Sequence, residues 1–162
     1  MATRKFDVNH GIKALKIKNA TALIVSVDGT LADTTHQQME DMNTGSYRTT
    51  IVARRAVDRV QINDDVAKRL KSYLANKYSI LYLTSRPKDL REETEEWLKR
   101  NELWGPKCFV LMRENFDSRD KYRTLKKAVT FARDCIGFAY EGDINMLKYY
   151  KELGIAAQHI GE

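Results

Sequence analysis

From about residue 20 onward, apolar and polar positions follow one another in two rhythms. Nearly continuous apolar runs at 21–27, 79–84, 107–112, 136–140 and 155–160 have the length and β-branched content of buried strands. Between them, apolar residues recur at three- and four-residue spacing: Val66, Leu70, Tyr73 and Leu74; Leu90, Thr94, Trp97 and Leu98; Leu125, Val129 and Ala132; Met146, Leu147, Tyr150 and Leu153. That spacing predicts amphipathic helices whose stripes are core, with no cofactor role. Each later strand is preceded by one such helix, the pattern of βαβ units. The expected fold is therefore α/β, with a Rossmann-like three-layer arrangement around a central, mainly parallel five-stranded sheet and a small insertion after the first strand.

Two stretches break the rhythm. Residues 1–19 carry Arg4, Lys5, Lys13, Lys16 and Lys18 against Asp7. This basic N-terminal arm reads either as a solvated, mobile tail or as a short helix laid on the surface. Residues 33–62 open with Thr and Gln and continue into a basic run containing Arg48, Arg54, Arg55 and Arg59, a cap-like insertion where substrate contacts tend to sit. Residues 20–162 then form one domain.

At 162 residues, 43% hydrophobic and 31% charged, the chain is long enough for one well-buried core and too short for two catalytic domains. Fibrous and disordered classes are excluded. Its 28 Lys+Arg outnumber 22 Asp+Glu by 6, which brings polyanions (nucleic acids, nucleotides, acidic proteins) into consideration as partners. Cys108 and Cys135 sit among apolar neighbours rather than in a metal-type cluster, and read as buried thiols in a reducing compartment. The longest apolar run, 22–25, is far too short to span a bilayer, and residues 1–7 lack a signal-peptide core. A cytoplasmic protein without a membrane partner is expected. His10, His36 and His159 are scattered without metal-ligand spacing, and Tyr149, Tyr150, Trp97 and Trp104 fall where core packing is the default.

The chemistry concentrates where the first strand ends, at Ser26-Val27-Asp28-Gly29-Thr30. Ligands of open α/β sheets bind at the carboxyl ends of strands, and residues two apart on a strand share a face, so Ser26 and Asp28 point into such a crevice together. The arrangement resembles motif I of the haloacid dehalogenase-like (HAD) phosphohydrolases, in which Asp-x-Asp-Gly-Thr supplies a nucleophile that also binds Mg²⁺ and a second Asp that serves as acid and base. Here the second is present as Asp28, and the first is replaced by Ser26. The resemblance continues to about residue 160. Thr84-Ser85-Arg86-Pro87 is similar to motif II, where a hydroxyl at a strand end binds a phosphate oxygen. Leu90-Arg91, Thr94-Glu95-Glu96-Trp97-Leu98, Val110 to Arg113 and Asp117-Ser118-Arg119-Asp120 look like the phosphatase half of polynucleotide kinase-phosphatases, particularly phage-type enzymes.

That resemblance implies a motif III lysine, for which Lys126 is favoured over Lys127, and a motif IV carboxylate pair that completes a Mg²⁺ site. Glu141 and Gly142 fall where the pair belongs, followed by Asp143. Two of the four motifs thus depart from the family, and they are the two that hold the metal. Mg²⁺ binding is expected to be weakened, with Asp28, Glu141 and Asp143 as the remaining ligands. Serine needs a base to become a nucleophile, and no His or Lys is adjacent; Asp28 is the nearest candidate. Two independent departures favour natural degeneration over an engineered substrate trap. No GxxxxGK[ST] element occurs, so the kinase half of the resembled enzymes is absent.

Three functional readings follow. The first is a catalytically degenerate domain that still binds phosphate groups or nucleic acid through Thr84, Arg86, Lys126 or Lys127 and the basic insertion. The second is a working Mg²⁺-dependent phosphatase on nucleic-acid 3′-phosphates or nucleotides. The third is a scaffold on which the basic face binds a host or phage protein.

Overall fold

The computed structural model describes residues 8–43, 47–113 and 121–161; Arg4, Lys5, Asp7, Asp117, Arg119 and Asp120, and the side chains of Arg48 and Arg113, lie outside the described residues. Five strands, β1 (Ala22–Ser26), β4 (Ser79–Pro87), β5 (Cys108–Arg113), β6 (Ile136–Glu141) and β7 (Ala157–His159), form one sheet in the order β5-β4-β1-β6-β7, every neighbouring pair parallel. The chain builds outward from β1 to β5, then returns to the other side of β1 for β6 and β7. That reversal opens a crevice at the carboxyl ends of the central strands.

Strand periodicity sorts the core into two layers. Leu23 and Val25 face the same side as Ile80, Tyr82, Phe138 and Tyr140, and pack beneath α4 (Asp64–Ala75) and α5 (Arg91–Arg100). Ala22 and Ile24 face the other side with Leu81, Leu83 and Ala139, under α6 (Lys121–Ala132) and α7 (Ile144–Glu152). All five residues of β1 are buried, which requires helices on both faces and gives the three-layer α/β fold expected from the apolar runs. Asn63 caps α4, accepting the Val66 amide at 3.3 Å. Among the described residues, no helix is long and apolar enough to cross a membrane.

One alternative is decided and one expectation is corrected. Within the N-terminal stretch, Val8–Ile17 is helix α1, the second of the two readings, laid on the domain with Leu15 fully buried and Gly11 buried against the sheet. The contact is specific, since a Cβ at Gly11 would stand 1.9 Å from the Tyr73 hydroxyl, which itself lies 2.8 Å from the Tyr140 hydroxyl. Second, Cys108 is buried but Cys135 is exposed, because it falls in the turn that joins α6 to β6, outside the packed layers.

The insertion comprises α2 (His36–Asn43) and α3 (Tyr47–Arg59), closed at its base by β2 (Ala32–Asp33) paired antiparallel with β3 (Gln61–Ile62). Met42, Ala53, Ala56, Val57 and Val60 join the core, so the insertion is seated on the domain. The Trp97 indole donates to the Val60 carbonyl at 3.0 Å, and Arg54 pairs with Glu93 at 3.1 Å. These contacts hold α3 against α5.

Gly11→Ala is expected to lower stability by about 1–3 kcal/mol, the usual cost of overpacking a filled site. Denaturant unfolding followed by far-UV circular dichroism checks this, and an unchanged midpoint would mean that α1 is not docked through this glycine.

Candidate functional site

The strand-end turn aims Asp28. After Ser26 the chain reverses through Gly29, whose φ of 81° lies in the left-handed region that glycine adopts without strain. The Leu31 amide donates to the Ser26 carbonyl at 3.3 Å and the Ala32 amide to the Val27 carbonyl at 2.8 Å. Val27 is buried in the α4/α5 layer, which leaves Ser26 and Asp28 facing the crevice.

Ser26, Asp28, Thr84, Glu141 and Asp143 line one cleft of about 170 Å³ at the carboxyl ends of β1, β4 and β6. Thr34 and Met39 from the insertion close one side, and Ser85, Leu83, Leu125 and Met146 complete it. Thr34 and Ser85 are hydroxyls that the motifs did not single out; Thr34, six residues beyond Asp28, reaches the site only through the β2 turn.

Arg86 is placed differently from expectation. Its side chain is fully buried beneath the cleft, with Nη2 donating to Asp28 Oδ1 at 2.8 Å and Nη1 to Thr94 Oγ1 at 3.1 Å. A phosphate in the cleft would meet Asp28 and Thr84 first. Both oxygens of Asp28 are hydrogen-bonded: Oδ1 also accepts from Thr34 Oγ1 at 3.0 Å, and Oδ2 from Thr84 Oγ1 at 2.8 Å. Thr84 Oγ1 in turn accepts the Arg86 amide at 3.1 Å. Lys126 is not among the residues lining the cleft. Its Nζ lies 5.2 Å from the centre of the Tyr149 ring, a cation–π arrangement, and Lys127 is exposed.

Glu141 is the second buried acid. Its Oε2 accepts the amides of Gly142 at 2.9 Å and Asp143 at 3.1 Å, while Oε1 is buried without a hydrogen-bond partner. Burial pushes its carboxyl up to about 7, partly offset by the Asp143 amide, the neighbouring Ser26 hydroxyl and the Gly142 amide. The Tyr150 hydroxyl is raised well above its ordinary range by burial and then by the Glu141 charge. Asp143 serves as the N-cap of α7: Oδ1 accepts from Asn145 at 2.8 Å and Met146 at 3.4 Å, and Oδ2 from the Tyr122 hydroxyl at 2.7 Å.

These carboxylates do not fit a Mg²⁺ ion, which needs near-octahedral oxygen ligands. Every oxygen of Asp28 and Asp143, and Oε2 of Glu141, already accepts at least one protein donor, so a cation would have to share or displace those bonds everywhere except at Glu141 Oε1. Position 142 has no room for a ligand side chain, since a Cβ there would stand 2.4 Å from the Gly29 carbonyl oxygen. Among the described residues, no three His, Cys, Asp or Glu side chains converge as a metal site.

The raised Glu141 pKa has a stability consequence. The folded state holds this proton more tightly than the unfolded chain, so there is no penalty below about pH 4. The penalty grows as pH rises toward about 7, levels off above it, and reaches about 3 kcal/mol at most. Glu141→Gln is expected to flatten that decline, and thermal unfolding between pH 5 and 8 checks it through parallel pH profiles in the two proteins or divergent ones.

Residues 23–161 match the family model described as PITM 1-3, LNS2 domain. No curated protein sequence matches the chain. Among solved structures, a chain in the structure of the Pnkp1/Rnl/Hen1 RNA repair complex is 19% identical, with a TM-score of 0.65, over 88% of this chain and 43% of that one. A chain in a second structure, of the Pnkp1/Rnl/Hen1 complex, is 18% identical with a TM-score of 0.66, over 87% of this chain and 46% of that one. This protein thus spans less than half the length of either, and the likeness is one of fold. With the family model covering nearly the whole sheet and its helices, the chain belongs to the PITM 1-3, LNS2 domain family and has a HAD-like phosphatase fold.

Proposed function

We propose that this domain binds phosphate monoesters in the cleft at the end of β1 and has lost the phosphoryl transfer associated with its fold. One observation carries the reading: Ser26 stands where the resembled enzymes place the nucleophilic Asp, beside an Asp28 held by Arg86 at 2.8 Å. Losing the nucleophile from a set of groups that act as a unit costs on the order of 10⁴ to 10⁶ in turnover. Of the cleft hydroxyls, those of Thr34 and Thr84 already donate their single protons to Asp28, which leaves Ser85 and, once turned away from Glu141, Ser26 as donors for phosphate oxygens.

In this reading the 33–62 insertion is a cap, supplying Thr34 and Met39 to the cleft wall. A phosphorylated nucleic-acid end or a nucleotide is the ligand class favoured by the net charge of +6 and by the exposed Arg55 and Arg59 on α3. The RNA repair complex named for the structural relatives supports the same class. Lys126 and Lys127 are not among the residues lining the cleft and act on the approach of an anion. The protein works in a reducing, cytoplasmic setting, consistent with its two free thiols.

A second reading rests on Glu141, an acid pushed up to about 7 beside the Ser26 hydroxyl. Such a carboxylate is suited to take a proton from serine near neutral pH, which would leave a hydrolase that does not use the family's aspartate.

The deciding measurement is inorganic phosphate release from a 3′-phosphorylated oligonucleotide and from phenyl phosphate, with and without MgCl₂. The natural chain is expected to release none above background while binding phenyl phosphate. Release that disappears in Glu141→Gln would establish the serine hydrolase reading, and Mg²⁺-dependent release would restore the conventional phosphatase. Silence together with no binding of either compound would leave only the scaffold reading.

A further inference from the structure

Under the cleft floor the protein carries a cation of its own. Arg86 is fully buried, its guanidinium 2.8 Å from Asp28 Oδ1 and 3.1 Å from Thr94 Oγ1. It is not among the residues lining the cleft, so it reaches a ligand only through Asp28. Resting on the phosphate-binding reading above, we propose that the cleft binds phosphate monoesters without a divalent metal, because Arg86 and the uncharged Ser26 together remove the negative charge that a metal ion otherwise has to neutralise.

The charges around the cleft support this. Where two aspartates end the first strand, a phosphate dianion meets two negative charges and needs a metal between them. Here Ser26 deletes one of those charges and Arg86 cancels the other. Asp143 sits at the N-terminus of α7, where the helix amides and the Tyr122 hydroxyl already hold it. Glu141 is held by two backbone amides.

A divalent cation, in contrast, meets competition at each carboxylate. At Asp28 Oδ1 it would have to displace Arg86, leaving a fully buried guanidinium unpaired, which is strongly unfavourable, and at Oδ2 it would compete with the Thr84 hydroxyl. To gain a ligand at position 142 it would need a side chain where the Gly29 carbonyl already stands. Arg86 is thus a positioning and charge-compensating residue rather than a phosphate ligand, and the pocket is selective for an anion arriving without its metal.

Two measurements on the full chain test this directly: equilibrium binding of phenyl phosphate in EDTA and in excess MgCl₂, and calorimetric titration of MgCl₂ into the protein alone. The expected result is the same affinity within about twofold in both buffers and no saturable Mg²⁺ isotherm. A roughly tenfold tightening by MgCl₂, or a saturable Mg²⁺ isotherm, would overturn metal independence while leaving phosphate binding intact. Absence of phenyl phosphate binding in either buffer would instead sink the phosphate-binding reading itself. Ser26→Asp supplies an independent arm. Restoring the second carboxylate is expected to abolish binding in EDTA and to recover it in MgCl₂, whereas unchanged binding in EDTA would show that strand-end charge does not control the site. Arg86→Met is expected to weaken binding in EDTA by about tenfold. Should that variant fail to fold, the two measurements on the natural chain and the Ser26→Asp arm still decide.

Discussion

The buried ion pair between Asp28 and Arg86 organises the end of the sheet. A guanidinium taken fully out of water is tolerated only when paired and hydrogen-bonded. Meeting that demand recruits a neighbour from each surrounding element. Asp28 comes from the turn after β1, Thr84 from β4, Thr94 from α5 and Thr34 from the base of the insertion. The Arg86 bond that stabilises the guanidinium also neutralises Asp28, whose carboxylate is further held by Thr34 and Thr84. Under the first strand's end the cleft is therefore floored by a neutral ion pair, with Glu141 and Asp143 as the other acids in its lining.

A second constraint is the close approach of backbones on the other side of β1. Gly142 passes so near the Gly29 carbonyl that no side chain fits, and its amide donates to Thr30 Oγ1 at 2.8 Å. This contact ties the end of β6 to the strand-end turn and turns the Glu141 carboxyl inward, onto the amides of residues 142 and 143. The absence of an acidic residue at 142 is thus part of how the site is packed. Reinstating the motif IV pair would require the turn itself to move.

Membership in the LNS2 domain family and the HAD-like phosphatase fold account for the scaffold but do not specify its chemistry. Folds of this kind host many activities, and the difference lies in a few side chains at the strand ends. In this chain Ser26, the Asp28–Arg86 pair and Gly142 are those few. Together they set the charge and the hydrogen bonding of the cleft at the end of β1.

The linear pattern determined the class of fold by itself. Buried strands read as apolar runs, and α4 to α7 read as apolar stripes, because burial on two faces or on one leaves a period that needs no partner to be recognised. The Asp28-Gly29-Thr30 turn was equally legible, since a strand that stops at such a turn presents its last side chains to a crevice. Ser26 was visible as a departure for the same reason. What Arg86 touches was not legible: a basic residue two positions after a motif hydroxyl reads as a phosphate ligand until the bend of β4 turns it inward toward Thr94 on α5. The docking of α1 was hidden too, because Gly11 has meaning only against Tyr73, which lies 62 residues further along the chain. Exposed Cys135 and inward-facing Glu141 belong with these. Periodicity records which residues are buried, whereas pairing partners are set by elements distant in sequence that meet only when the sheet assembles.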